Sequence, residues 1–236
     1  LLARYCQRNI IAVSPDLAEI LKKKFPESKV LTIANGIDIE SLRRNVSPHS
    51  TNDNGHYHIG IAGRLTPVKR VDLFIDSAVY LKQHHSELSI EFHIYGDGPL
   101  HDALQTQIQS HQAESYIQLE GHCDNIHQKL QTLDALVMTS DHEGLPMILL
   151  EAMSLQVPII AHATGGIPFL LNQGRCGILV HEHTAEAFSE AILQLLNKPA
   201  LQQQLTQQAL EHVNQYFSAK STAEAYLKVY KTLANT

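Results

Sequence analysis

Two glutamates, Glu143 and Glu151, are the residues whose types and spacing most directly suggest chemistry. They lie in DHEGLPMILLEAM, one in a loop after an apolar run and the other inside a helix that is predicted to begin at Pro146. A carboxylate accepts hydrogen bonds from vicinal hydroxyls, and free N–H groups near Met147 and Ile148 would face an anion. The pattern therefore indicates a ligand with a sugar on each side of a diphosphate, which is the shape of a nucleotide sugar.

Two cations follow a different apolar run, HIGIAG. In the next stretch, GRLTPVK, Gly63 allows a sharp turn, and Arg64 and Lys69 then lie in the loop and at the start of the next helix. Cations at the carboxyl end of a strand and beside a helix N-terminus form an anion site, for which a diphosphate is the natural ligand. On spacing alone, two solvated surface cations explain the pattern equally well. Likewise GDGP, from Gly96, is explained as well by a tight turn before a helix.

The elements that position these residues are short apolar runs alternating with amphipathic helical patterns. Strands are predicted at residues 9–14, 29–38, 58–63, 89–96, 116–121, 135–140, 157–162 and 177–180. Helices are predicted between them and over the end of the chain, at 200–216 and 219–233. Near-continuous apolar strands in this alternation predict an α/β fold, a Rossmann-like parallel sheet with helices on both faces. Such sheets bind ligands at the carboxyl ends of their strands, where the residues above lie.

Composition excludes several classes of protein. The chain has 236 residues, 44% hydrophobic and 18% charged, and a net charge of −6, which does not favour a general nucleic-acid surface. Its three cysteines form no disulfide framework or CxxC motif, which suits a reducing cytosol. Apolar runs are shorter than the roughly 20 residues of a bilayer span. The start has no signal-peptide pattern and no initiator methionine, so we expect a piece of a longer protein.

Histidine is abundant, with fifteen residues scattered along the chain. His181 and His183 flank Glu182, but no second metal-spaced group accompanies them. A solvated loop is therefore favoured over a metal site at this pair.

Four motifs together resemble a known family. GRLTPVKRVD, GDGP, EGLPMILLEAM and ATGGIP, in this order and spacing, resemble the nucleotide-binding domain of retaining glycosyltransferases with the GT-B fold, the group 1 or family 4 class. The family signature, two glutamates separated by seven residues, is met by Glu143 and Glu151. The resemblance is strong over residues 58–180. Two positions depart from the pattern: Phe169 stands where relatives often have Glu, and Arg70, read as merely exposed, where they often have Gly.

The resemblance implies roles for individual residues. Arg64 and Lys69 would hold the donor diphosphate and neutralise the leaving group, Glu143 would contact hydroxyls of the transferred sugar, and Glu151 would bind the ribose. Cys123 would make a backbone contact near the base. The donor-binding residues implied are Gly63, Arg64, Lys69, Gly96, Cys123, Glu143, Gly144, Leu145, Pro146, Met147, Ile148 and Glu151; the catalytic residues among them are Arg64, Lys69 and Glu143.

The resemblance also implies a division of the chain. Residues 1–40 would be the tail of an N-terminal acceptor domain and the interdomain crossing, and 41–56 a polar linker or loop. Residues 57–215 would form the nucleotide-sugar-binding Rossmann-like domain. Residues 216–236 would be a C-terminal helix that packs back on the N-terminal domain.

The implied reaction is transfer of a hexose from a UDP or GDP sugar to an acceptor hydroxyl with retention, in glycan, polysaccharide or glycolipid biosynthesis. The nucleotide sugar is a substrate, and no cofactor or metal is expected. The acceptor, a glycan or a lipid-linked glycan, would bind through the N-terminal domain, in a cytoplasmic enzyme peripheral to the inner face of the membrane. This chain alone is expected to bind nucleotide and to transfer little or no sugar.

Other functions remain open. A non-catalytic nucleotide-sugar-binding or scaffold domain, or a sugar-nucleotide epimerase of the same architecture, would show the same motifs. A phosphorylase would need a pyridoxal-phosphate lysine, for which no persuasive candidate exists. A dehydrogenase is disfavoured because no GxGxxG opens the first helix after a strand.

Overall fold

The computed structural model describes residues 9–44, 46 and 55–234. The strands are β1 (Ile10–Ala12), β2 (Val30–Thr32), β3 (His56–Ala62), β4 (Ser89–Tyr95), β5 (Ile117–Gly121), β6 (Ala135–Met138), β7 (Ile159–His162) and β8 (Ile178–Val180). The helices are α1 (Pro15–Lys22), α2 (Ile39–Arg44), α3 (Val71–His84), α4 (His101–Ser110), α5 (Ile126–Leu130), α6 (Met147–Ser154), α7 (Ile167–Leu170), α8 (Ala185–Leu196), α9 (Pro199–Tyr216) and α10 (Ala219–Ala234).

Six strands form one parallel sheet in the order β5-β4-β3-β6-β7-β8. The chain builds outward from β3 to one edge, returns to the centre at β6, and then builds to the other edge. The predicted α/β fold, a parallel sheet flanked by helices, is confirmed. The change of direction between β3 and β6 opens a crevice at the carboxyl ends of the strands.

Apolar side chains cover both faces of this sheet. On one face Phe74 of α3, Phe92 of β4 and Phe188 of α8 are fully buried, and the rings of the first two meet edge to face at 5.8 Å. On the other face the core includes Leu149 of α6 and Val213 of α9. Burial of one such side chain contributes about 1.5–3 kcal/mol, so these two layers fix the helices whose ends form the crevice.

Helix α2 differs from the sequence prediction, which placed residues 41–56 in a linker or loop. Residues 41–44 are helical because Asp38 accepts a hydrogen bond from the Ser41 N–H at 2.9 Å, which caps the helix start, and because Ile39 and Leu42 pack into the core. His56 already belongs to β3. The rest of the predicted linker lies largely outside the described residues.

The C-terminal segment contacts the connection that follows β2. The Ile37 N–H donates to the Phe217 carbonyl and the Ala219 N–H to the Ile37 carbonyl, both at 2.9 Å. The Thr222 hydroxyl donates to the Ala34 carbonyl at 3.0 Å. Helix α10 thus starts against the segment predicted as the interdomain crossing, although the domain assignment itself stays a prediction. No helix of the described part of the chain combines the length and apolarity of a membrane span.

Candidate functional site

A cleft of about 540 Å³ lies at the carboxyl ends of β3 and β4, beside the start of α6. It is lined by Ala62, Gly63, Arg64, Lys69, Tyr95, Gly96, Asp97, His122, Cys123, Ile126, Pro146, Met147 and Ile148. The cleft therefore lies beside the point between β3 and β6 at which the strand order changes direction. Sheets of this kind bind ligands at that point.

Two glycines bring the loops after β3 and β4 together in this cleft. Gly63 and Gly96 have φ values of 155° and 137°, and a Cβ on Gly96 would lie 1.9 Å from the Gly63 carbonyl oxygen. The Gly63 N–H donates to the Tyr95 carbonyl at 3.0 Å. Only glycine adopts these φ values readily, and only glycine lets the main chain at position 96 approach the Gly63 carbonyl this closely. This part of the cleft wall is therefore made of main-chain atoms.

Lys69 and Glu143, 74 positions apart, form a direct ion pair at the cleft. Lys69 Nζ lies 2.6 Å from Glu143 Oε1, and the Ser140 hydroxyl donates to the same oxygen at 2.7 Å. The Glu143 side chain is only 12% exposed, and both donors contact the same carboxylate oxygen. Arg64 is exposed on the cleft wall, and its guanidinium has no ion-pair partner among the described residues.

Helix α6 points its N-terminus at the cleft. Pro146 precedes the helix without a side-chain cap, and Met147 and Ile148 of the first turn line the wall. The first N–H groups of a helix and its dipole favour a negative charge at this end. Together with Arg64 and Lys69, they place positive groups on this part of the wall.

Glu151 lies one turn further along α6. Its Oε2 is 3.2 Å from His127 Nε2, and its side chain is 22% exposed. His127 follows Ile126, which lines the cleft. The two glutamates of the motif thus lie on two different sides of the helix start: one beside Lys69 and one beside α5.

The structure brings eight of the twelve predicted donor-binding residues onto the cleft wall: Gly63, Arg64, Lys69, Gly96, Cys123, Pro146, Met147 and Ile148. Glu143 reaches the wall through Lys69, and Glu151 lies behind it. Gly144 is in the loop that precedes α6, and Leu145 is 7% exposed and packs into the core. Their roles toward a ligand stay predictions.

Sequence reasoning missed how the ATGGIP motif acts. The Gly166 N–H donates to the Glu143 carbonyl at 2.9 Å, and the Thr164 hydroxyl donates to the Asp141 carbonyl at 2.8 Å. Gly165 has φ 53°, and a Cβ there would lie 2.0 Å from the Glu143 backbone carbonyl oxygen. This second loop therefore supports the loop that carries Glu143, and the adjacent glycines were the signal for such close backbone contact.

His181 and Glu182 are exposed in a loop, as the sequence predicted, but the His183 ring turns inward. Its Nε2 lies 2.6 Å from the Thr139 carbonyl, and its ring stacks on His162 at 3.9 Å with an angle of 2° between the planes. His162 Nδ1 lies 2.9 Å from the Ser140 carbonyl, and burial lowers the pKa of His162. The two rings hold the end of β6 just before Glu143.

Arg70 and Phe169, the two positions that depart from the family pattern, both contact other side chains. Arg70 adopts φ 49°, ψ 45°, and its guanidinium pairs with Asp72 at 3.0 Å and with Asp141 at 3.4 Å, so it is more than an exposed cation. Phe169 is 36% exposed, and its ring meets Phe217 edge to face at 5.8 Å. Glycine adopts a left-handed backbone without the steric cost that Arg70 bears here.

Substitutions at Arg70 should separate the backbone from the ion pairs. Arg70→Ala keeps the left-handed strain and loses exposed ion pairs worth about 0–1 kcal/mol. Arg70→Gly loses the same pairs but relieves strain of about 1 kcal/mol. We expect urea unfolding to show the glycine variant about 1 kcal/mol more stable than the alanine variant. An alanine variant as stable as the glycine one would contradict a strained backbone at this position.

The sequence of this chain is similar to those of known glycosyltransferases. A family model described as glycosyl transferases group 1 matches residues 43–212. The chain is 25% identical over 224 residues to the poly(ribitol-phosphate) alpha-N-acetylglucosaminyltransferase of Staphylococcus aureus (strain COL), covering 94% of this chain and 43% of that protein. It is 30% identical over 150 residues to the putative glycosyltransferase EpsD of Bacillus subtilis (strain 168), covering 64% of this chain and 39% of EpsD.

Solved structures show the same fold. S. aureus TarM, solved with UDP, fondaparinux and alpha-GlcNAc-glycerol, superposes with a TM-score of 0.85 at 23% identity, over 97% of this chain and 45% of TarM. Anabaena HepE, solved with UDP and glucose, gives a TM-score of 0.84 at 19% identity, over 100% of this chain and 65% of HepE. The chain thus spans only part of each of these proteins. Because the family match covers well over half of its residues, the chain belongs to the glycosyl transferases group 1 family.

Proposed function

We propose that this chain is the donor-binding part of a retaining glycosyltransferase that transfers a hexose from a UDP or GDP sugar to an acceptor hydroxyl. The acceptor is a glycan or lipid-linked glycan held by a preceding domain, and the pathway is glycan, polysaccharide or glycolipid biosynthesis. The single observation that carries the proposal is the cleft in which Arg64, Lys69 and the N-terminus of α6 converge. TarM and HepE, which share the fold, were solved with UDP.

Charge decides where each part of the donor lies. The diphosphate occupies the space between Lys69, Arg64 and the first N–H groups of α6, since these are the positive groups of the wall. The base lies toward Cys123 and Gly96, at the ends of β4 and β5. The ribose reaches Glu151, whose oxygens accept hydrogen bonds from its hydroxyls.

Stabilisation of the leaving group is the main catalytic contribution of this domain. Negative charge grows on the departing diphosphate as the glycosidic bond breaks. Lys69, held in place by Glu143, and Arg64 on the cleft wall supply positive charge where that negative charge develops. An oxygen of the donor phosphate takes the proton of the acceptor hydroxyl. No side chain of this domain then needs to act as a nucleophile.

Glu143 orients the transferred sugar and Lys69 together. Its carboxylate already accepts from Lys69 and Ser140, and a carboxylate has further acceptor positions for sugar hydroxyls. The ion pair thus links the group that holds the phosphate to the group that holds the sugar.

Calorimetric titration of UDP, GDP and ADP in the presence of EDTA tests the donor site and identifies the nucleotide. We expect one diphosphate to bind. Glu151→Gln, which loses a charged acceptor for ribose hydroxyls, should weaken that binding about 10-fold. Glu190→Gln, which removes an exposed carboxylate from α8 on the opposite side of the sheet, should leave it unchanged. Equal affinity of the Glu151 variant and the wild type would place the ribose elsewhere.

A further inference from the structure

A cluster of histidines and carboxylates lies on one face of β3 and β4, away from the strand ends that form the donor cleft. The sequences are His-Tyr-His in β3 and Glu-Phe-His in β4, and the strands pair in parallel with His58 opposite Glu91. Alternate residues of a strand face the same side of a sheet. His56, His58, Glu91 and His93 therefore share one face, whereas the intervening Phe92 packs into the core on the other.

The polar atoms of this cluster are close enough to share one ion. His56 Nε2 lies 3.3 Å from Glu91 Oε1. One ligand atom from each of His56, His58 and Glu91 lies within 4.8 Å of the others, and no other group in the described part of the chain meets this spacing. Tetrahedral ligands around Zn²⁺ lie about 3.4 Å apart, given metal–ligand distances of about 2.0–2.2 Å. Modest side-chain rotations would close the cluster around an ion.

His93 of β4 and Glu120 of β5 extend the cluster to the next strand of the sheet. His93 is 10% exposed; its Nε2 lies 3.0 Å from His58 Nδ1, and its Nδ1 lies 2.9 Å from Glu120 Oε1. Glu120 contacts His93, and His93 in turn contacts His58. Outer-shell partners of metal ligands fix the orientation of a ligand ring by contacts of this kind. Simple cross-strand ion pairs would not require this second layer of contacts, in which His93 is largely buried.

We propose that His56, His58 and Glu91 bind one divalent transition-metal ion, with Zn²⁺ the preferred ion, and that His93 positions His58 for it. Two imidazoles and one carboxylate form a ligand set that zinc accepts, with a fourth position left for water. Imidazole ligands disfavour Mg²⁺ and Ca²⁺, which select oxygen. The site is separate from the donor cleft and joins β3 to β4 across the sheet face. It adds a metal to a chain for which the sequence predicted none.

Titration of Zn²⁺ into the full chain, without a histidine tag and stripped of metal, tests the site. We expect one equivalent to bind with micromolar or tighter affinity and to raise the Tm, because an ion that binds only the folded state stabilises it. His56→Gln and Glu91→Gln alter partly exposed side chains and should fold, yet each should weaken binding at least 10-fold. The control His101→Gln removes an exposed histidine paired with Asp102, and binding should be unchanged.

Co²⁺ gives a second readout, since its absorption reports coordination by nitrogen in a tetrahedral site. We expect wild type and His101→Gln to develop this absorption with one equivalent, and His56→Gln and Glu91→Gln to lose it. No stoichiometric binding of Zn²⁺, or equal binding by all variants, would overturn the proposal. Fifteen histidines make weak binding elsewhere expected, so the difference between variants and control is decisive.

Discussion

Lys69→Ala is expected to weaken binding of the nucleoside diphosphate by about 10- to 100-fold, or roughly 1.5–3 kcal/mol. The lysine ammonium is the positive group of the cleft that is fixed in place, by its 2.6 Å contact with Glu143. Hydrogen bonds between charged groups are the strong ones in proteins. In the proposed complete transferase the loss should be larger in turnover, on the order of 10²–10³, because the proposed mechanism builds up charge on the diphosphate in the transition state.

A double-mutant cycle separates the lysine's own contact from its effect on Glu143. Without Lys69, the Glu143 carboxylate keeps Ser140 but faces the diphosphate as an uncompensated negative charge. Lys69→Ala combined with Glu143→Gln should therefore bind the diphosphate several-fold more tightly than Lys69→Ala alone. Lys228→Ala, which removes the same charge from an exposed position on α10, is the control. Wild-type affinity in Lys69→Ala would place the phosphates away from this cation.

Residues at strand ends were the predictable part of this site. Arg64, Gly96 and Cys123 follow three different strands, and the apolar runs before them predicted parallel neighbours. The carboxyl ends of parallel strands meet at one edge of the sheet. These residues therefore had to come together, although they are far apart in the sequence. The cleft confirms that meeting, whereas the ligand it takes stays a prediction.

Contacts that depend on strand register or on backbone approach were not predictable. The His58–Glu91 neighbourhood requires the pairing of β3 with β4, and the Lys69–Glu143 ion pair requires the exact path of two loops. Helix α2 was missed because its six residues are too few to show a helical repeat of apolar positions. The one local signal is Asp38, three positions before Ser41, which is the spacing of a helix N-cap. Periodicity identifies an element and its buried face, but it does not identify the side chain or carbonyl that the element meets.

Gly166→Ala is expected to destabilise the chain by about 3 kcal/mol or more. Gly166 has φ −82° and ψ −2°, a conformation that alanine adopts readily, so the cost comes from contact alone. A Cβ there would lie 1.8 Å from the Gly144 carbonyl oxygen and 2.9 Å from Ser14 Cβ. Overpacking costs about 1–3 kcal/mol when side chains can yield, and here the first obstacle is main chain. For a chain of this length, about 3 kcal/mol lowers the Tm by roughly 6–12 °C.

Gly174→Ala is the matched control, because an alanine at position 174 has backbone strain without a steric clash, whereas an alanine at position 166 has the clash without the strain. Gly174 has φ 88°, but the nearest atom to an added Cβ is Leu179 Cδ1 at 3.8 Å, so only conformational strain of about 1–2 kcal/mol applies. The variants should also differ in ligand binding. Relief of the Gly166 contact must separate the two loops, which loosens the loop between Glu143 and α6. Nucleoside diphosphate affinity should therefore fall in Gly166→Ala and not in Gly174→Ala. Urea unfolding and calorimetry measure both effects, and a Gly166 variant with stability near wild type would show that this loop moves freely from its support.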